Sequence, residues 1–198
     1  MTTADPINQK SAALQVRDHQ LNVVQRQSPH ADARPDPEDI NLIVIHGISL
    51  PAGEFATPYV EQLFMGTLNT QTDERFAELE GLRVSAHVVI YRTGEVVQFV
   101  PFAQRAWHAG RSQYCGRRRC NDYSIGIELE GTDTTPYTAA QYQQLAQVCA
   151  ALVRAYPQLS LQRIVGHCHI APVRKTDPGP AFDWAYFRHT LLRVDQGV

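Results

Sequence analysis

The chain has 198 residues, 43% hydrophobic and 19% charged, the composition of an ordinary globular domain. At about 150 residues per domain this length predicts a single domain, large enough to take roughly 70% of its extended surface out of water without disulfides or metals to hold it. Eighteen basic against twenty acidic residues leave a net charge of −2, which argues against nucleic acid as the partner, since neutralising phosphates needs a basic excess. No stretch approaches 18 apolar residues, so no membrane partner is expected. The first ten residues, Met1 to Lys10, lack the basic segment and apolar run of an export signal, which points to a cytoplasmic protein.

Residues 1–21 read as a polar, flexible leader and 22–198 as one domain. Leu14, Leu21 and Val24 fall near helical spacing, which suggests a short amphipathic helix within residues 11–25. A proline-rich arm, Ser28 to Pro37, follows, and such an arm crosses a surface without regular structure. Leu42-Ile43-Val44-Ile45-His46 is a continuous apolar run, the mark of a strand covered on both faces. Thr57 and Pro58 predict a helix start, with Tyr59, Leu63 and Phe64 on its core side, and Asp73–Glu80 reads as helical.

Residues 87–91 and 95–99 read as two strands joined by Arg92-Thr93-Gly94, a hairpin with glycine in its turn. In 124–130, Ile125, Ile127 and Leu129 share one face, and Ser124, Gly126, Glu128 and Glu130 the other. Thr138 to Gln141 forms a capping box that opens the longest helix, stopped by Pro157. A strand over 163–167 and a helix capped by Asp183, with Trp184, Phe187 and Leu191 inward, complete the chain. The fold class expected is α/β with α+β character: a single domain with a mixed sheet flanked by helices on both faces. Cys115, Cys120, Cys149 and Cys168 show no C-x-x-C spacing and read as reduced thiols; a Cys115–Cys120 bridge is the alternative.

Eight histidines stand out, with His46 and His167 each closing an apolar strand. A strand end is rigid yet reaches into the cleft above the sheet, a position suited to a metal ligand. Asp177 lies ten residues beyond His167, and two imidazoles with one carboxylate form a known set for catalytic zinc. The competing reading is that each histidine merely caps a strand end and bonds to backbone. Glu128 sits on the polar face of an apolar strand, with Gly126 leaving room for something to approach. A carboxylate there needs either an arginine partner or a wet pocket. Glu130 lies nearer the strand exit and reads as solvated, while Lys175 either places an ammonium near the metal or is a surface lysine.

The segments Val44-Ile45-His46, Val84 to His87, Ala106-Trp107-His108-Ala109-Gly110, Asn121 to Glu128 and Gly166-His167 through Asp177-Pro178-Gly179 occur in this order. Together they resemble the zinc-dependent N-acetylmuramoyl-L-alanine amidases, the family that includes the peptidoglycan recognition proteins and phage lysozyme-like amidases. Arg174 to Trp184 and Glu128 to Asp133 resemble the cytoplasmic branch acting on 1,6-anhydro-muropeptides. The likeness spans residues 22 to 192 and implies one Zn2+ per chain held by His46, His167 and Asp177. It further implies Glu128 as the catalytic glutamate and Lys175 as the cation that stabilises the tetrahedral intermediate. Arg83 and Arg119 would bind peptide carboxylates, with His87, Ala106 and Trp107 lining the groove.

The implied partner is an anhydro-muropeptide substrate, met by a monomer in cell-wall recycling, with an indirect effect on β-lactamase induction. Two positions depart from the family pattern: His169 replaces the usual aspartate and Gly47 the usual asparagine. His169 reads as a neighbour of the ligands or a surface residue. The alternative function is a muropeptide-binding module of the same fold, but non-catalytic relatives lose a zinc ligand and this chain keeps all three.

Overall fold

In the computed structural model, residues 13–196 are described; the rest of the expected leader and the first positions of the expected 11–25 helix lie outside them. From residue 13 the arm is extended rather than helical. Val16–Arg17 (β1) pairs antiparallel with Gln20–Leu21 (β2), and Val24–Gln25 (β3) joins the edge of the main sheet. The cause is Gln98, whose buried carboxamide accepts from Leu21 N at 2.7 Å and donates to His19 O at 3.3 Å. A buried amide needs these bonds, and they hold the segment extended. Leu21 is buried, and Leu14 and Val16 pack against the core, so the arm is anchored well before residue 22.

Ala31–Ala33 (β4) leads into Arg34, which is buried without a carboxylate partner and donates to the carbonyls of Phe102, Asn121, Asp122 and Ser124. Burial lowers its pKa to about 10. Leu42–Ile48 (β5) forms as expected. The next helix is Tyr59–Met65 (α1), one residue later than Thr57 implied. Thr57 spends its hydroxyl on Leu50 O at 2.6 Å, so Pro58 takes the cap position and Val60, Leu63 and Phe64 form the buried face. Glu74–Leu79 is a 3-10 helix with Asp73 accepting from Arg75 N.

Val88–Ile90 (β6) and Val96–Gln98 (β7) make the hairpin; Gly94, at φ +89°, closes its turn. Gln104–Ala106 (β8) pairs with β4, and Gln113–Tyr114 (β9) with Arg117–Arg118 (β10). Ser124–Glu130 (β11) is followed by Ala139–Ala155 (α2), whose capping box has both of its hydrogen bonds, at 3.0 and 3.1 Å. Ile164–Gly166 (β12) stops one residue before His167, which opens a short helical turn, His167–Ile170 (α3). Asp183 caps Trp184–Asp195 (α4).

The main sheet runs β12-β5-β11-β6-β7-β3, its first four strands parallel and β7 antiparallel. Ile43, Ile45, Ile125, Ile127 and Leu129 face α2 and α4 in one core, while Val89, Val97 and the α1 residues form another on the opposite face. Helices thus cover both faces of a mixed α/β sheet. All four cysteines are free thiols.

Candidate metal centre and catalytic cleft

Strand pleating decides what enters the cleft. With the odd residues of β5 and β11 turned toward α2 and α4, His46 and Glu128 project from the opposite face, and register sets them side by side. Gly166 pairs with Ile45, so His167 emerges next to His46. Parallel strands thus deliver three polar side chains at one edge, the usual ligand position of an open α/β sheet. Asp177 arrives from the loop after α3, which Cys168 N pins by donating to Asp177 O at 2.9 Å.

His46 Nδ1 lies 3.0 Å from His167 Nδ1 and 3.0 Å from Asp177 Oδ2, and His167 Nδ1 lies 3.1 Å from that oxygen. One ligand atom from each residue therefore meets at a common point, the one such group of three among the described residues. Zinc bonds of about 2.0–2.2 Å at tetrahedral angles set donors about 3.3 Å apart, so the donor set fits that ion. Both imidazoles are almost wholly buried. Burial lowers the His46 pKa to about 4 against the raising effect of Asp177, which keeps the ring neutral and able to donate its lone pair. Burial pushes the Asp177 carboxyl up, but the His167 and His46 rings outweigh it and leave it below the ordinary carboxylate range.

Glu128 Oε1 lies 3.9 Å from His46 Nδ1, and its Oε2 is buried with no hydrogen-bond partner. Burial and the charge of Asp177 raise its pKa well above the usual value, and Lys175 offsets them in part. A buried carboxyl with one oxygen unspent is suited to taking and returning a proton. Glu128, Lys175 and Trp107 line the same cleft of about 280 Å³ as the three donors.

Residues 36–180 match the family described as N-acetylmuramoyl-L-alanine amidase. The chain belongs to this amidase family. The 1,6-anhydro-N-acetylmuramyl-L-alanine amidase AmpD of Escherichia coli K12 is 63% identical over 161 residues, which cover 81% of this chain and 87% of that protein. Its counterpart in Haemophilus influenzae is 51% identical over 160 residues, with 81% and 87% covered. A crystal structure of a selenomethionine AmpD derivative superposes with a TM-score of 0.86 at 56% identity, covering 89% of this chain and 98% of that one. E. coli AmiD, solved with the substrate anhydro-N-acetylmuramic acid-L-Ala-D-γ-Glu-L-Lys, gives 0.58 at 27% identity, covering 90% and 65%. The protein is an enzyme, an N-acetylmuramoyl-L-alanine amidase.

The other expected site residues are less concentrated. Arg83 is exposed beside His30, Leu63 and Gly66, outside the cleft. Arg119, in the left-handed region at φ 62°, is exposed and pairs with Asp122 at 2.9 Å. His87 and Ala106 are fully buried. His87 accepts from Gly126 N at 3.0 Å and lies 3.0 Å from Arg34 Nη2, so its ring supports the cleft from behind. Trp107 does face the cleft, its indole N–H donating to Asp32 at 3.1 Å.

Glu130 is buried rather than solvated: it accepts from Ala56 N at 2.7 Å and Arg92 N at 3.2 Å, so backbone amides replace its water. His169 stays out of the donor group; it accepts from Gly166 N at 2.9 Å and its ring lies 5.5 Å from Trp184. His108 lies in the Ala106 to Gly110 segment without a role in the sequence pattern, although it touches His46 and occupies the space left by Gly126. Tyr137 likewise carries no signal in the sequence pattern. Its hydroxyl donates to Pro178 O at 2.9 Å and lies where a Cβ on Gly47 would come within 2.3 Å of it, so the phenol spans the segments carrying His46 and Asp177.

Proposed function

We propose that this amidase is zinc-dependent and cleaves the amide joining 1,6-anhydro-N-acetylmuramic acid to the L-alanine of the stem peptide. It would act as a cytoplasmic monomer in muropeptide recycling, and through the level of its substrate on β-lactamase induction. The convergence of His46, His167 and Asp177 beside Glu128 carries this reading, and the 63% identity to an enzyme named for the anhydro substrate supports its specificity. Among the described residues no helix is long and apolar enough to cross a membrane.

His46, His167 and Asp177 would hold the zinc. Bound there, the ion supplies a Lewis acid that polarises the amide carbonyl and brings the pKa of water from about 15.7 toward 7. Glu128 takes the proton of the attacking water and passes it to the departing alanine nitrogen, both steps needing a carboxyl whose pKa lies near the working pH. The Lys175 ammonium faces the oxygen on which charge develops; one such donor is worth about 3–4 kcal/mol of barrier. Trp107 offers a flat apolar wall to the sugar. Arg83 and Arg119 stand outside the cleft, so their part would be to meet peptide carboxylates beyond it. His87 and Ala106 act by supporting the cleft.

Mass spectrometry of products from anhydro- and ordinary muropeptides, with and without chelator, tests the reading. Release of the free peptide from the anhydro substrate, abolished by chelator and restored by zinc, is expected. Full turnover in chelator would overturn the metal dependence, and equal rates on both sugars the specificity.

A further inference from the structure

A metal-bound imidazole has a second nitrogen, and its hydrogen bond decides both the ring's orientation and which nitrogen keeps the proton. In this chain the outward nitrogens of both candidate ligands meet the same dipeptide. His46 Nε2 lies 2.9 Å from His108 Nδ1, and His167 Nε2 lies 3.2 Å from Ala109 O. The backbone N–H groups of His108 and Ala109 both donate to Asn121 Oδ1, at 3.2 and 2.7 Å. The far nitrogen of His108 meets Ser124 Oγ at 3.2 Å, and its ring lies over Gly126, where a Cβ would come within 2.4 Å. The turn bearing Asn121 is held in place by Arg34, which donates to Asn121 O at 3.1 Å.

We propose that His108 and Ala109, clamped by Asn121, form one bracket of positioning residues that presents the Nδ1 lone pairs of both His46 and His167 to a divalent cation. The inference rests on the metal reading given above. His167 can offer Nδ1 only with its proton on Nε2, where Ala109 O accepts it. His46 likewise needs its proton on Nε2, and His108 Nδ1 is the acceptor there. That in turn places the His108 proton on Nε2, donated to Ser124 Oγ. The reverse polarity would put a proton on His46 Nδ1, aimed at Asp177 Oδ2 3.0 Å away, and shut the site to a cation. The dipeptide thus accepts the outward proton of both rings, with Arg174 Nη2 sharing Ala109 O at 2.7 Å and lying 3.4 Å from His167 Nε2, and Asn121 sets the dipeptide through hydrogen bonds to backbone.

The test is zinc affinity, read by competition with a chromophoric chelator, in Asn121→Leu, Asn121→Asp, His108→Leu and His108→Asn. Loss of such outer partners typically costs 10–100-fold in metal affinity, so the two leucine variants should weaken zinc by about that factor, while the aspartate and asparagine variants, which keep an acceptor oxygen, stay within about threefold. Imidazole 1H–15N correlation spectra of the zinc-loaded wild type should show His108 protonated at Nε2 alone. A His108 proton on Nδ1 overturns the bracket, as does equal affinity in all four variants or equal loss in the leucine and acceptor-keeping pairs. If the leucine variants do not fold, the spectra and the two acceptor-keeping variants decide. A wild type that binds no zinc removes the metal reading and the bracket with it, whereas zinc bound equally by wild type and variants removes the bracket alone.

Discussion

Acidification of the metal-free Glu128→Gln variant isolates what the buried histidines cost. His46 and His87 are held neutral by burial, with pKa values below the ordinary imidazole value, about 4 for His46. Their unfolded forms take up protons first. Stability is therefore full above about pH 6.5 and is lost as pH falls from there toward the folded values. Each such group contributes a slope of up to about 1.4 kcal/mol per pH unit, so the pair removes about 4 kcal/mol between pH 7 and 5. His108 is also depressed by burial and acts in the same direction.

Glu128 works in the opposite direction. Its raised pKa means that the folded state gains a proton before the unfolded one, so stability rises as pH falls through its folded value. Replacing it with glutamine removes that offset. The contribution of Asp177, whose pKa is lowered, is lost only below about pH 4 and stays out of the window. Urea unfolding at pH 7, 6 and 5 in chelator reads the result against a total of about 5–15 kcal/mol for a typical domain. The variant should lose about 4 kcal/mol over this range and the wild type distinctly less. A variant whose stability moves by under about 1 kcal/mol would mean that these rings titrate normally.

Three further outcomes are expected. Asp177→Ala should lower zinc content in elemental analysis of purified protein; unchanged zinc would take the residue out of the ligand set. In Gly126→Ala the new Cβ meets the His108 ring at 2.4 Å, an overpacking that typically costs about 1–3 kcal/mol in chemical unfolding, and a neutral result would mean that the ring moves aside freely. Arg119→Ala should raise KM with kcat little altered, since an exposed side chain outside the cleft can contribute only to binding; an unaltered KM speaks against any contact with the peptide.

Much of the sheet was legible because its strands are covered on both faces and therefore apolar throughout, as in Leu42 to Ile45, or alternate cleanly, as in Ser124 to Glu130. The capping residues Thr138 and Asp183 marked two helix starts for the same local reason. The arm departs from the expected helix because three apolar residues at helical spacing say nothing about Gln98, a side chain more than 70 residues away that holds the backbone extended. Glu130 is buried against expectation because its partners are backbone amides of Ala56 and Arg92, and amides leave no trace in side-chain pattern.

At the site, the strand-end histidines and the polar face bearing Glu128 are visible in the pattern, but their meeting with Asp177 is expected only from the family resemblance, since register between β5 and β11 and the path of the loop to Asp177 are tertiary facts. His108 hid in a motif for a related reason. Only the sheet shows that its ring fills the gap over Gly126. The missing Cβ was a readable signal that something approaches there, without naming what.

Zinc stoichiometry combined with X-ray absorption at the zinc edge tests the central claim most directly. One zinc per chain in a shell of nitrogen and oxygen at about 2.0–2.1 Å is the predicted result. Metal-free protein that stays empty when zinc is supplied, or a shell with sulfur at about 2.3 Å that would make Cys168 a ligand, would contradict it.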